Sequence, residues 1–393
     1  MLIGLVGKPS CGKSTFFKAC TLADVLIASY PFTTIKPNHG IGYVRVECID
    51  KEFNTQCMPR TGYCVNHIRF VPVELMDVAG LIEGASEGKG LGNQFLDDLR
   101  QADLFIHIVD ISGTTDAEGK EIEGGHNPIE DVRMLENELD LWYLGILNKV
   151  WKTLSRQLQQ TKENFAKSIA KQFSGLGVKE EHVKQIVIYL GYNVEKIVEW
   201  TDKQLKDFSH ELRHLTKPMI IAANKIDKKD SKENLEKIKK EFPKIYIMPC
   251  SADSELSLRQ ASKAGMIKYI PGNKDFEIIE GKASDKQKQA LELIKKNVLD
   301  VYGSTGVQDV LDKSVFDFLK YIAIFPAGVH KLADSKGNIL PDCYLMPPGT
   351  TALEFAFKLH TDIGNNFVSA IDVRTKQRIG KEHVLKNRDG IEI

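Results

Sequence analysis

Six residues into the chain, the apolar run MLIGLV gives way to Gly7-Lys8-Pro9-Ser10-Cys11-Gly12-Lys13-Ser14, followed at once by the apolar helical start TFFKACTL. This is the Gly-x-x-x-x-Gly-Lys-Ser pattern in the strand–loop–helix setting that gives it meaning. Glycine lets the backbone curl around phosphate with its N–H groups pointing inward. Lys13 supplies a point charge for the β/γ-phosphates, and the Ser14 hydroxyl a position on Mg²⁺. The helix that follows adds the partial positive charge of its N-terminus. A chain organised around such a loop alternates strands and helices into a mostly parallel sheet with helices on both faces. The pattern alone fits ATPases, kinases and GTPases.

Three further segments narrow the choice. Asp77 ends RFVPVELMDVAG, a strand-like run that leads to Gly80. A carboxylate there can hold Mg²⁺ through water, and the Gly80 N–H can meet the γ-phosphate. The stretch KPMIIAANKID ends a buried-type strand in Asn224-Lys225-Ile226-Asp227. The Asp227 carboxylate can accept from the guanine N1–H and 2-amino group, a pair of donors that adenine lacks, so such a site rejects adenine. Asn224 is expected to brace the loops and touch the base edge, and the Lys225 stem to cover the base plane. Then KIYIMPCSADS ends in Ser251-Ala252, where a backbone N–H can face the guanine O6. In this order, each after an apolar strand, the segments specify GTP. A P-loop kinase of a small metabolite has no use for NKID and SA.

Composition bounds the rest. With 53 basic and 53 acidic residues among 393, no bulk field attracts nucleic acid or a membrane, so a polyanion must be held by a local patch. No apolar run approaches about 18 residues, and the N-terminus lacks the basic region of a signal peptide, so a cytoplasmic chain is expected. The seven cysteines (11, 20, 48, 57, 64, 250 and 343) are odd in number and follow no framework spacing, which fits reduced thiols. Cys57, Cys64 and His67 offer metal-type ligands but no CxxC pair, and buried or surface thiols are the simpler reading.

The segments GKPSCGKST, YPFTTIKPN, DVAGLIEGASEGKGLGNQFL, NKID and CSA resemble the Obg-like branch of translation-associated P-loop GTPases. Within it the chain is most similar to the YchF-like proteins, including archaeal and yeast relatives. The glycine-rich run Gly80–Gly92 is the most specific part. YIPGNKDFEI and GSTGVQDVL resemble the family's C-terminal region, and the likeness is weakest in the middle of the chain. The resemblance implies GTP/GDP and Mg²⁺, with Gly7, Lys8, Pro9, Ser10, Cys11, Gly12, Lys13, Ser14 and Thr15 around the phosphates. It puts Asn224, Lys225, Asp227, Ser251 and Ala252 at the base, Ser14, Thr34 and Asp77 at the metal, and Lys13, Thr34 and Gly80 in catalysis. It prefers Thr34 to Thr33. Many YchF-like proteins have lost the guanine tetrad and use ATP, whereas this chain keeps Asn224, Lys225 and Asp227. Potassium-activated relatives usually carry Asn where this chain has Ser10, and K⁺ dependence is left open.

Residues 1–112 and 218–304 are assigned to the nucleotide-binding core, with 113–217 an inserted helical hairpin domain. Leu139, Trp142, Tyr143, Ile146, Leu147, Val150 and Leu154 recur at helical spacing, and EEHVKQIVIYLGY and TDKQLKDFSHELRHLT read as further helices. Residues 314–393 read as strand, helix and strands, with a Thr351-x-x-Glu354 capping box and Gly364 as a helix stop. This resembles the β-grasp, ubiquitin-like TGS domain, a module associated with RNA or the ribosome. Arg374, Lys376, Arg378, Lys381, Lys386 and Arg388 face one acid, Glu382, and such a local charge can pin phosphates. No aromatic interleaving supports base stacking.

The expected protein is therefore α/β, a doubly wound P-loop GTPase sheet with a helical insert and a C-terminal TGS domain. The residue after Gly80 is Leu81, where many switches carry a water-orienting Gln. Slow hydrolysis is expected, accelerated by a partner that orders the Gly80–Gly92 run. The expected partner is the ribosome or structured RNA, through the TGS domain and the insert. No membrane or DNA partner is expected, and the chain is expected to be monomeric. A scaffold in which GTP only tunes partner affinity is the alternative.

Overall fold

The computed structural model describes residues 1–22, 38–78, 80, 84, 100–122, 125–334 and 336–393. In chain order the elements are β1 (Leu2–Val6), α1 (Lys13–Thr21), β2 (His39–Glu47), β3 (Tyr63–Val65), β4 (Ile68–Asp77) and β5 (Leu104–Asp110). There follow α2 (Pro128–Thr161), α3 (Phe165–Gln172), α4 (Glu180–Leu190), α5 (Asp202–Thr216), β6 (Met219–Asn224), α6 (Ser231–Glu241), β7 (Tyr246–Pro249) and α7 (Ala252–Lys263). The pair β8 (Ile267–Lys268) and β9 (Glu277–Ile278) precedes α8 (Asp285–Ile294) and α9 (Val307–Lys313). The chain ends with β10 (Ile322–Pro326), β11 (Tyr344–Met346), α10 (Ala352–Leu359), α11 (Thr361–Asn365), β12 (Ala370–Asp372), β13 (Arg378–Ile379) and β14 (Asp389–Glu392).

These elements form two compact units: Met1–Phe17, Leu75–Ser254 and Lys296–Gly306 in the first, the remaining segments in the second.

The first unit is built on parallel strands β1, β5, β6 and β7 in that spatial order. LIGLV, LFIHIVD and MIIAAN are buried throughout, as strands covered on both faces must be. The register pairs Val6 with His107 and Asp110 with Asn224, so the C-terminal ends of three strands lie along one edge of the sheet. In open α/β sheets that edge is where ligands bind.

Four helices, α2 to α5, occupy the stretch between β5 and β6. The 34-residue α2 starts at an Asn127 cap, whose Oδ1 accepts from Ile129 N at 3.2 Å, with Pro128 in the first turn. Its apolar stripe of Leu135, Leu139, Trp142, Tyr143, Leu147 and Trp151 is buried in one cluster with Phe165, Trp200, Phe208 and Leu212. Leu2, Val6, Phe105 and Met219 belong to the same cluster, so the helices share a core with the sheet. Arg213 of α5, 1% exposed, donates to Glu136 and Asp140 of α2 at 2.5 and 2.9 Å. Burial raises the Glu136 carboxyl, but His214 and Arg213 outweigh it and hold it at about 2.

In the second unit, β10, β11, β12, β13 and β14 form a sheet in the order β11-β10-β14-β12-β13. The β10–β14 pair is parallel and the others are antiparallel. Ala352 and Phe355 of α10 pack with Ile324, Met346, Ala370 and Ile391. The Thr351–Glu354 capping box forms: Glu354 N donates to Thr351 Oγ1 at 3.3 Å and Thr351 N to Glu354 Oε2 at 2.8 Å. Gly364 does not end this helix. His360 turns extended at φ −164° and its Nδ1 accepts from Asp362 N at 3.1 Å, starting α11, which contains Gly364. Close approach explains that glycine, since a Cβ would meet the Phe357 ring at 2.3 Å.

Two of the six C-terminal basic residues are already paired. Arg374 and Arg388 both reach Glu52, at 2.5 and 2.7 Å, and Arg388 also meets Glu47 at 3.1 Å. Lys376, Arg378, Lys381 and Lys386 are exposed. Among the described residues, no helix is long and apolar enough to cross a membrane.

His107, in the middle of β5, is 1% exposed, its Nδ1 has no hydrogen-bond partner among the described residues, and burial pushes its pKa down to about 3. As pH falls, the unfolded chain therefore takes up this proton first. Stability from His107 is complete above about pH 6.5 and declines below it by up to about 1.4 kcal/mol per pH unit. Denaturant titrations at neutral pH and near pH 5 are expected to show a smaller acid loss for His107→Leu than for wild type. Equal losses would place the acid sensitivity elsewhere.

Candidate functional site

The loop after β1 is shaped by positive φ at Gly7 (149°), Ser10 (58°) and Gly12 (99°). At Gly12 a Cβ would lie 2.2 Å from Asn224 Nδ2, and at Gly7 it would lie 2.4 Å from Ile108 O, so neither position admits a side chain. Lys13 is buried, and its Nζ donates to the loop carbonyls of Gly7 and Lys8 at 3.0 and 2.9 Å. The ammonium is thereby held inside the curl of the loop. Burial pushes the Cys11 thiol up, which leaves it a packing group. Phe16 N donates to Gly12 O at 2.9 Å, which starts α1 directly on the loop.

Ser14 Oγ donates to Asp77 Oδ2 at 3.0 Å across 63 residues of sequence. Partial burial pushes the Asp77 carboxyl up, opposed by Ser14 and Lys13. A hydroxyl and a carboxylate oxygen side by side form the hard oxygen donor set that suits Mg²⁺. Gly80 is exposed, and a Cβ on it would meet Pro9 at 3.2 Å, so its backbone runs against the phosphate loop. Thr34, Leu81 and most of the Gly80–Gly92 run lie outside the described residues.

At the other end of the edge, Asn224 joins three segments. Its Nδ2 donates to Cys11 O at 2.9 Å, and its Oδ1 accepts from Ala252 N at 3.0 Å. Asp227 Oδ1 accepts from Ser251 Oγ at 2.7 Å, which fixes the carboxylate's orientation. The N–H groups of Ser251 and Ala252, expected to face the guanine O6, are engaged within the protein. Ser251 N donates to Thr305 O at 2.9 Å, and Ala252 N to Asn224.

The ammonium groups of two lysines of the expected site are engaged within the protein. Lys225, at φ 64°, sends its ammonium to Asp110 Oδ2 at 2.7 Å. Asp110 is fully buried and also accepts from Ser112 and Thr115. Burial raises its carboxyl, but Lys225, Ser112 and Thr115 together hold it below its usual value. Lys8 is 1% exposed, donates to Thr115 O at 2.8 Å, and lies 2.9 Å from Asp131 Oδ2 of α2, an ion pair without aligned hydrogen-bond geometry. Its side chain is thus committed away from the phosphates. One heptad along α2, Glu138 Oε1 accepts from Gly84 N at 2.7 Å. Asp110, Asp131 and Glu138 are absent from any sequence motif. An acid ending the apolar run FIHIVD was the available signal for Asp110.

Family models match three stretches: residues 2–137 match 50S ribosome-binding GTPase, 222–328 match the Obg-like GTPase YGR210-like, G4 motif-containing domain, and 335–393 match the TGS domain. An uncharacterized GTP-binding protein of Methanocaldococcus jannaschii is 46% identical over 100% of this chain and 98% of its own. The chain belongs to the Obg-like, YchF-type family of P-loop GTPases. The crystal structure of a GTP binding protein from Pyrococcus horikoshii OT3 is 38% identical with a TM-score of 0.79, covering 100% of this chain and 99% of that one. The protein named ribosome-binding ATPase YchF of Buchnera aphidicola (strain APS) is 30% identical over 93% of this chain and 86% of its own. As an Obg-like family member with a GTPase domain, the chain is a nucleotide hydrolase that ends in a TGS domain.

Asn224→Ala removes both arms of the bridge and orphans the buried Ala252 N–H. It is expected to cost about 1–3 kcal/mol of stability and to weaken nucleotide binding by more than about tenfold, since a tenfold change corresponds to only 1.4 kcal/mol. Thermal melts and calorimetric titration check both. Unchanged affinity would show that the bridge does not shape the site.

Proposed function

We propose that this chain binds GTP in preference to ATP and hydrolyses it slowly to GDP and phosphate, acting as a switch on the ribosome or RNA. The observation that supports this most is the fixed Asp227 carboxylate beside the Asn224 bridge. A carboxylate oriented by Ser251 can accept from the guanine N1–H and 2-amino group, whereas adenine would leave it unpaired. This reading separates the chain from its relatives named ATPases.

The phosphates would lie in the loop Gly7–Thr15, against its N–H groups and Lys13. Ser14 and Asp77, with Thr34, would hold Mg²⁺, which supplies charge neutralisation between the β- and γ-phosphates. Gly80 would give its N–H to the γ-phosphate. These groups stabilise charge on the γ-phosphoryl but do not orient water. Leu81 has no donor or acceptor, so the protein alone should turn over at about 10⁻⁴–10⁻² s⁻¹, as unassisted switches do. We assign nucleotide binding to 1–112 and 218–304 and partner binding to 113–217 and 314–393. The TGS match and the ribosome-binding name of one relative support the choice of partner. With Arg374 and Arg388 paired, Lys376, Arg378, Lys381 and Lys386 are the cations for an RNA phosphate.

Asp227→Asn exchanges an acceptor for a donor and so complements xanthine, which has a 2-oxo group in place of the 2-amino group. The variant is expected to lose at least about 100-fold in GTP affinity, some 2.7 kcal/mol, and to gain for XTP. ATP binding equal to GTP in wild type would overturn the selectivity. Co-sedimentation with ribosomes in the nucleotide-free, GDP and non-hydrolysable GTP states tests the partner. Retention confined to the GTP analogue, together with faster single-turnover hydrolysis, is expected. Equal retention in all states would favour a scaffold with incidental hydrolysis. A rate above about 1 s⁻¹ for protein alone would refute the need for an activator.

A further inference from the structure

Cys48, Asp50, Cys57 and Cys64 converge in the second unit. Their three sulfurs and a carboxylate oxygen all lie within 4.8 Å of one another. They come from one local fold. Cys48 directly follows β2, Asp50 lies in the 3₁₀ turn Ile49–Phe53, Cys57 is in the loop beyond it, and Cys64 is on β3. The β3–β4 hairpin closes through Asn66 and His67, both at positive φ (50° and 62°), which turns Cys64 back toward the others. Cys48, Cys57 and Asp50 are buried, and Cys64 is half-buried. No CxxC pair exists, so the sequence gives little hint of the cluster.

We propose that Cys48, Cys57, Cys64 and Asp50 bind a structural Zn²⁺ ion that ties the end of β2 to the β3–β4 hairpin. Three soft thiolates with one carboxylate suit tetrahedral zinc. With Zn–S near 2.3 Å, tetrahedral sulfurs stand about 3.8 Å apart, so a contraction of at most about 1 Å would seat the ion.

The surroundings meet the demands of such a centre. The Gln56 side-chain amide donates to the Cys57 sulfur at 3.9 Å. Asp50 is oriented from both sides: Cys57 N donates to its Oδ2 at 2.9 Å, and His67 Nδ1 lies 2.9 Å from its Oδ1. Metal ligands are held by outer partners in this way. His67 is thus a partner of a ligand, not a ligand itself.

Charge supplies an independent argument. Arg69 is 1% exposed and directly opposite Cys64 in the β3–β4 register. It donates to Leu340 O and Pro341 O at 3.1 and 2.8 Å, while its Nε has no hydrogen-bond partner and no carboxylate pairs with it among the described residues. A buried guanidinium needs a counter-charge. Three thiolates and a carboxylate around Zn²⁺ carry a net charge of −2, which supplies it.

Elemental analysis of the full chain, purified without chelator from zinc-supplemented medium, is expected to find about one zinc per chain. Cys57→Ser and Cys64→Ser are expected to lose it, and Cys343→Ser, a buried cysteine outside the set, to keep it. Chain free of zinc, iron in place of zinc, or zinc undiminished in Cys57→Ser and Cys64→Ser would overturn the assignment. Wild type reconstituted with Co²⁺ gives a readout that does not depend on the variants folding. Thiolate-to-cobalt charge transfer with tetrahedral d–d bands is expected, and an octahedral, thiolate-free spectrum would refute the site.

Discussion

One carboxamide ties the nucleotide edge of this protein together. Asn224 ends β6, donates to the phosphate loop at Cys11 O and accepts from the loop that opens α7 at Ala252 N. Each contact is an ordinary hydrogen bond, worth about 1 kcal/mol net, but both are buried and would be costly to leave unmade. The parallel register makes them attainable. Because β1, β5 and β6 end together, a side chain only two bonds long spans the gap between loops more than 200 residues apart. Gly12 belongs to the same constraint, since any Cβ there would occupy the position of the Asn224 amide.

What the sequence disclosed were motifs whose chemistry is local or whose spacing is fixed by a strand end. The phosphate loop, the Asp77 and Asn224–Asp227 strand ends, the insert helices and the Thr351 capping box belong to this class. What it concealed depends on which distant residue arrives at a given point. Nothing in the sequence shows that Asp131 and Asp110 take the charges of Lys8 and Lys225. Gly364 reads as a helix stop because glycine often is one, but His360 ends the helix four residues earlier. The C-terminal basic run reads as a free patch until Glu52 claims two of its arginines. The cysteines show the same limit, for Cys57 and Cys64 suggest ligands while Cys48 and Asp50 emerge only once the hairpin folds back.

Several buried charges meet an opposite charge. Arg213 is met by two carboxylates and Asp110 by an ammonium and two hydroxyls. Paired in this way, such groups specify one arrangement of the elements they join more than they add net stability. Arg69, like Lys13 and Lys217, donates to backbone carbonyls, and the proposed zinc centre across the hairpin would supply its counter-charge.

The two contacts on α2 have a mechanical consequence. Asp131 holds Lys8 of the phosphate loop and Glu138 holds Gly84, so both grips fall in the first three turns of a helix roughly 51 Å long at 1.5 Å per residue. Such a helix is a lever with its fulcrum at the nucleotide edge. A tilt of about 5° at the gripped end displaces the other by roughly 4 Å over that length. A displacement too small to break a hydrogen bond at the gripped end would thus be amplified at the far tip.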